Sequence, residues 1–132
     1  MCEIYTNDSI INCTPHECNI YTGSVFDPAC GKCRGGELVM TIPASGVVGV
    51  ATPEIIPDEP FMVGGLTIPS VRRKYVRVSP LFDEEGKLYI VSAVYAEAAK
   101  QLGYDTTHLL TPNGHVINDR GMVIGCTGFA RV

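Results

Sequence analysis

Nine prolines and fourteen glycines divide this 132-residue chain into short runs. Proline has no N–H to donate and glycine weakens element interiors, so such a chain favours short elements joined by turns. The runs between these residues are rich in β-branched and aromatic side chains, and several alternate in polarity, the pattern of half-buried strands. One stretch has helical character instead. Ala93 to Leu102 places Val94, Ala98 and Leu102 along one face, with Ser92 as N-cap and Gly103 just past the end. The residue three beyond Ser92 is Tyr95, so there is no capping box. The expected fold is α+β: a single small domain over 1–132, about seven short and mostly antiparallel strands, and one main helix at about 93–102.

Strands are expected at Cys2 to Tyr5 or Ser9 to Cys13, in "ECNIYTG", in "ELVMTI" up to Pro43, and at Lys87 to Val91. In "ECNIYTG", Cys18, Ile20 and Thr22 share one face, and Asn19 and Tyr21 the other. "FDPACGKCRGG" reads as a loop. "VVGVATPEIIPDEP" reads as a short strand followed by an irregular crossing, because of Pro53, Pro57 and Pro60. "LTIPSVRRKYVRVSPL" reads as two strand pieces around Pro69. Turns are expected at Pro112-Asn113-Gly114 and at Asp119-Arg120-Gly121, the second closing a hairpin.

Hydrophobic content of 45% with 18% charged residues suits a compact globular chain. No apolar run is long enough to span a membrane, and "MCEIYTNDSI" lacks the form of a signal peptide, so a cytoplasmic location is expected. The formal charge of −4 argues against bulk nucleic-acid binding. Six cysteines without a sign of secretion favour free thiols or metal ligands over disulfides.

"NCTPHEC" at 12–18 and "CGKC" at 30–33 form the densest cluster of potential ligands. Tetrahedral zinc takes thiolate or imidazole ligands in pairs, and Cys30 and Cys33 flank a glycine-containing turn that suits one pair. Cys13 and Cys18, with His16 between them, would supply the other. The alternative is that Cys13 and Cys18 are core residues, since free cysteine packs as a small hydrophobe. A thioredoxin-like role for the Cys30–Cys33 pair fits poorly, because "RGGELVMTI" and not a helix follows it. "NxTPH" also makes sense as a turn device. Asn12 can form an Asx-turn, Pro15 holds Thr14 extended, and His16 opens the next strand, where it either anchors the turn or contacts a ligand.

Taken in order, "INCTPHECNIYTG", "IPASGVVGV", "KLYIVSAVYAEAA" and "NDRGMVIGCTGFARV" resemble a family of short, largely uncharacterised phage and prophage proteins. That family opens with Asn-Leu-Thr-Pro-His, continues through a Pro-Ser-Gly turn and an Ile-Tyr-Ile-Val-Ser strand, and closes near a Gly-Cys-x-Gly stretch. The resemblance implies phage or prophage origin and carries no function with it. Asn12, Thr14, Pro15 and His16 carry the match. Cys13 stands where the family has an apolar residue. Val48 or Gly49 replaces an arginine, and the loop with Cys30 and Cys33 looks like an addition within a hairpin.

"VRRKYVRV" concentrates four positive charges between residues 72 and 77. Read with period 2, it puts Arg73, Tyr75 and Arg77 on one face: forked donors for phosphate or carboxylate beside a ring for stacking. A solvated edge strand, with cations guarding it against pairing, is the alternative. Arg120 is a further cationic candidate. The acidic turn Asp83-Glu84-Glu85 reads as a solvated loop, and no nucleotide-loop, hydrolase-elbow or metalloprotease motif is present.

These features point first to a non-enzymatic, homo-oligomeric binding protein for a small anionic ligand. The expected contacts are Asn12, His16, Arg73, Tyr75, Arg77 and Arg120. With the phage resemblance, the sharpest form is sequestration of a nucleotide-derived host immune signal as an anti-defence device. Two alternatives stand beside it. One is an enzyme on a nucleotide-like substrate using His16 and His115 as acid and base, or Cys126 or Cys13 as nucleophile. The other is a protein-interaction or structural accessory module with a zinc-stabilised loop.

Overall fold

A computed structural model describes residues 5–132. A 3-10 turn at Asn7–Ser9 leads into β1 (Ile10–Asn12), followed by β2 (Cys18–Thr22), β3 (Val25–Asp27), β4 (Lys32–Arg34) and β5 (Glu37–Ile42). Two long strands follow, β6 (Val50–Val63) and β7 (Leu66–Ser79). Then come β8 (Leu88–Ile90), helix α1 (Ala93–Gln101), β9 (Leu109–Ile117) and β10 (Val123–Arg131). The protein is mostly β with a single helix among the described residues. It has ten strands there, not about seven. The expected strand at Cys2 to Tyr5 falls largely outside the described residues, whereas the one at Ser9 to Cys13 forms as β1.

The main sheet runs β1-β8-β9-β10-β2-β5, with the β3–β4 hairpin attached to β9 through β4. It is mixed, not mostly antiparallel. β1–β8, β8–β9, β4–β9 and β2–β10 are parallel, while β9–β10, β2–β5 and β3–β4 are antiparallel. Helix α1 explains one of the parallel pairs. It is the crossover that carries the chain from β8 to its parallel neighbour β9.

Helix α1 starts where the sequence indicates. The Ser92 hydroxyl accepts the Tyr95 N–H at 3.1 Å, and Gly103 takes φ +79° just beyond Leu102. Its buried face differs from the expected one. Val94 is exposed, while Tyr95, Ala96, Ala98 and Ala99 are buried with Leu102 beside them. The alanines let the helix sit close to the sheet, and Tyr95 fills the remaining space against Phe82, with ring centroids 5.5 Å apart. The Tyr95 hydroxyl donates to the Pro80 carbonyl at 2.5 Å, so its polar end is satisfied. Tyr89 on β8 and Val91 just after it pack on the helix side, and Ile90 faces the opposite side with Cys18 and Cys126. The sheet therefore has a large core on one face and a small one on the other.

The strands that the prolines were expected to break are continuous. β6 and β7 pair only with each other, as a long two-stranded ribbon. Proline is tolerated there because each strand has an open edge, where a missing N–H leaves no ladder bond unmade. One register shift lies between Thr52 and Pro53 and another between Asp58 and Phe61, so Pro53 and Pro60 sit at bulges. Gly64 and Gly65, with φ of +56° and +81°, close the ribbon as a type I′ turn. β9 likewise runs through Pro112-Asn113-Gly114 instead of turning. Its edge opposite β10 pairs with β8 at Leu109 and Leu110 and with β4 at Val116 and Ile117, and Pro112 lies in the gap between. The segment read as the loop "FDPACGKCRGG" contains the β3–β4 hairpin.

Candidate functional site

Asn12 is 1% exposed, and every polar atom of its side chain is used. Nδ2 donates to the carbonyls of His16 (2.8 Å) and Ile42 (3.1 Å), while Oδ1 accepts from the N–H (3.0 Å) and hydroxyl (2.6 Å) of Thr14. Two donors and two accepted bonds complete the capacity of an amide. The expected Asx-turn is present, and it is tied to the end of β5. Asn12 thus has no group left for a ligand. It is a positioning residue that fixes the turn carrying Thr14, Pro15 and His16.

This turn opens onto a recess of about 290 Å3 on the face of the sheet away from α1. His16, Thr14 and Glu17 come from the turn, and His115 and Pro112 from β9. Cys18, Ile90 and Cys126 form its apolar floor. Sheet order brings these distant segments together. His115 stands opposite Cys126 across β9–β10, and Cys126 stands opposite Ile20 across β10–β2. Gly125 has no room for a side chain. A Cβ there would lie 2.5 Å from the Asn19 carbonyl and 2.6 Å from the Tyr21 ring. That close approach seats β10 against β2 at the edge of the recess.

The two thiols on the floor lie 3.9 Å apart. Burial, and then the neighbouring Cys126, push the Cys18 thiol up to about 12. Cys18 is therefore protonated at neutral pH and acts as an apolar wall rather than a nucleophile. The imidazoles of His16 and His115, both in exposed residues at the rim, are the groups with acid–base and anion-binding capacity. A second recess, of about 240 Å3, lies beside α1 between Phe82, Tyr95, Tyr104 and Leu109. Of its two carboxylates, Asp105 already accepts the Thr107 N–H.

The four cysteines considered for zinc are dispersed. Cys13 packs in the core under α1, Cys18 in the core on the opposite face, and Cys30 and Cys33 lie in the β3–β4 hairpin. Among the described residues no group of three or more His, Cys, Asp or Glu side chains is placed to hold a metal ion. The hairpin turn is held by Asp27 instead. Its carboxylate accepts the Ala29 N–H at 2.9 Å and pairs with Arg34 at 3.1 Å, and its carbonyl accepts from the Gly31 N–H. Those contacts hold the Asp27 carboxyl below its ordinary value, the Ala29 N–H being the main cause.

The cationic candidates lie elsewhere. Tyr75 and Val78 both pack on the core under α1, although they are three residues apart. The extra residue at the bulge, Val76, makes this possible. It also breaks the predicted face, since Arg73 stays on the side of Tyr75 and Arg77 moves to the other. Arg72 pairs with Asp58 at 3.2 Å. The ribbon is rooted on the helix side of the sheet, so Arg73, Tyr75 and Arg77 are separated from the His16 recess. Arg120 is exposed in the β9–β10 turn, three residues before Val123 of the recess wall. The Asn118 side chain shapes that turn by accepting the N–H groups of Arg120 and Met122. Glu17, Asn19 and Gly125 are recess residues that sequence reasoning missed, because no local pattern marks strand neighbours. Comparison with known protein families, curated proteins and solved structures finds no match to this chain.

Proposed function

We propose that this protein binds a small anionic ligand of nucleotide-like character in the recess between the Asn12–Cys18 turn and strands β9 and β10. The observation that carries the reading is the convergence of His16 and His115, from distant parts of the chain, over an apolar floor. Imidazole N–H groups at the rim supply hydrogen-bond donors for a phosphate or carboxylate. The floor of Cys18, Ile90 and Cys126 offers apolar surface to a base or sugar. At about 290 Å3 the recess lies just below the usual range for ligand sites, about 300–1,000 Å3, which favours a compact ligand over an extended dinucleotide.

In its sharpest form the protein is a phage-type sequestering agent for a nucleotide-derived host immune signal. The phage-family resemblance of Asn12, Thr14, Pro15 and His16 motivates that form, and two of those residues, Thr14 and His16, line the recess. Calorimetry against mononucleotides, cyclic mononucleotides and ADP-ribose derivatives tests it. Binding should weaken at least tenfold in both His16→Ala and His115→Ala and survive in a variant with Arg73 and Arg77 replaced by Ala. The opposite pattern would move the site to the ribbon, and no heat from any compound would end the nucleotide reading.

The same pair of histidines supports a second reading, an acid–base enzyme on a nucleotide-like substrate. Turnover separates the two. Consumption of compound in molar excess over protein, abolished in His16→Ala with folding retained, identifies the enzyme. Recovery of unaltered compound after denaturation identifies the binder.

A further inference from the structure

The ribbon of β6 and β7 extends about 45 Å at the usual rise of a strand. Only its base is anchored, where Ala51, Tyr75 and Val78 pack on the core under α1. From Glu54 to Lys74 no residue belongs to either core, and all but Ile56 and Ser70 are exposed. A two-stranded ribbon without a covering layer is marginal in water.

The cross-strand register sorts its side chains by face. The face that meets the core at the base continues outward through Pro53, Ile55, Pro57 and Val71 to Met62. Arg73 is its one charged residue in the paired positions. The opposite face is mainly polar in its middle, with Arg72 on Asp58 and Glu54 opposite Lys74, and Ile56 as its one apolar residue there. At the tip that face too becomes apolar, with Phe61 opposite Ile68 and Val63 opposite Leu66. Met62 is 67% exposed and Leu66 69%.

We propose that the ribbon is an assembly arm, and that its apolar face and tip pack against a second copy of this chain. Three observations select that occupant. First, five large apolar side chains cluster exposed at the tip, Phe61, Met62, Val63, Leu66 and Ile68, in contrast to the singly scattered apolar residues of a monomer surface. Second, the charges are complementary. Arg73, the one charge on the packing face in the paired positions, is positive, whereas the ribbon's net of +1 (four basic, three acidic) leaves −5 on the rest of a chain whose total is −4. An arm of this kind is attracted to the body of a neighbour and lacks the charge to hold nucleic acid. Third, the body carries a matching surface. β5 is an edge strand of the main sheet, and Leu38, Val39 and Met40 on it are all exposed. Reciprocal exchange of arms in a two-fold dimer covers both arms with one symmetric contact.

Light scattering coupled to size exclusion, over a range of protein concentrations, reads the assembly. The wild-type chain should run at twice its 14.2 kDa mass or more. The triple variant Phe61→Ser, Met62→Ser and Leu66→Ser should fall to the monomer with unchanged circular dichroism. A monomeric wild-type chain overturns the proposal, whether its ribbon then binds lipid vesicles, another protein or nothing. A variant that keeps the wild-type mass overturns it as well. Should the variant misfold, amide exchange of the wild-type ribbon decides: protection of residues 55–74 must rise with protein concentration, and concentration-independent exchange refutes the arm.

Discussion

Replacing Asn12 with aspartate changes one NH2 group to oxygen and leaves shape untouched, so it isolates the hydrogen bonds that hold the recess turn. Both accepted bonds, from the Thr14 N–H and hydroxyl, survive in Asn12→Asp. Both donated bonds are lost, and a carboxylate oxygen faces the carbonyls of His16 and Ile42 across the former distances of 2.8 and 3.1 Å. For Asn12→Ala the loss is four bonds at about 1 kcal/mol each, reduced to about 2–4 kcal/mol because Thr14 and His16 regain water. Asn12→Asp should cost more at neutral pH, about 3–5 kcal/mol, since a buried charge is left without a partner. Either loss is a large part of a stability of about 5–15 kcal/mol. The sign with pH is also fixed. Burial and the two carbonyls raise the folded-state value of the new carboxyl above its unfolded value of about 3.9. The folded variant then binds more protons than the unfolded one, so its stability falls as pH rises through that window and recovers in acid. Urea unfolding followed by circular dichroism, at pH 4.5 and pH 7, measures both effects. An Asn12→Asp protein within 1 kcal/mol of wild type at pH 7, or one that weakens in acid relative to wild type, refutes the assigned orientation of the amide.

Four further outcomes can be measured. Ser92→Ala removes the acceptor for the Tyr95 N–H and should lower unfolding stability by about 1 kcal/mol without altering ligand affinity. Gly125→Ala forces a methyl against the Asn19 carbonyl and the Tyr21 ring. It should cost about 1–3 kcal/mol and weaken any ligand of the recess, so full retention of both would contradict the packing of β10 on β2. Timed alkylation at pH 8 with peptide mapping should label exposed Cys30 well before buried Cys13 and Cys18, whose thiols burial pushes up. Stability should hold near neutrality and fall as pH rises from the ordinary thiol value of 9.0 toward about 12. Cys18 and Tyr95 both titrate near about 12 in the folded state, above their unfolded values, so the unfolded chain releases protons first. Constant stability across that range would contradict their burial.

What the sequence determined by itself is local. Asn12 followed by Thr14-Pro15 dictates an Asx-turn, Ser92 and Gly103 bracket one helix, and Asp119-Arg120-Gly121 closes a hairpin. Each signal acts within a few residues through a side chain that bonds its own backbone, so each is legible without knowing the fold. Cys18 and Ile20 also read correctly as one inward face. The remainder was decided between segments. Prolines did not break β6, β7 or β9, because whether a missing N–H matters depends on whether that edge of the strand has a neighbour. The bulge at Val76 split Arg77 from Tyr75, because strand alternation holds only while the partner keeps register. Whether Cys13 and Cys18 would converge on a metal or enter two cores rested on which sheet face each strand presents. That His16 and His115 line one recess depends on β10 lying between β9 and β2. Strand order is chosen by the packing of the whole sheet, and no short stretch of sequence encodes it.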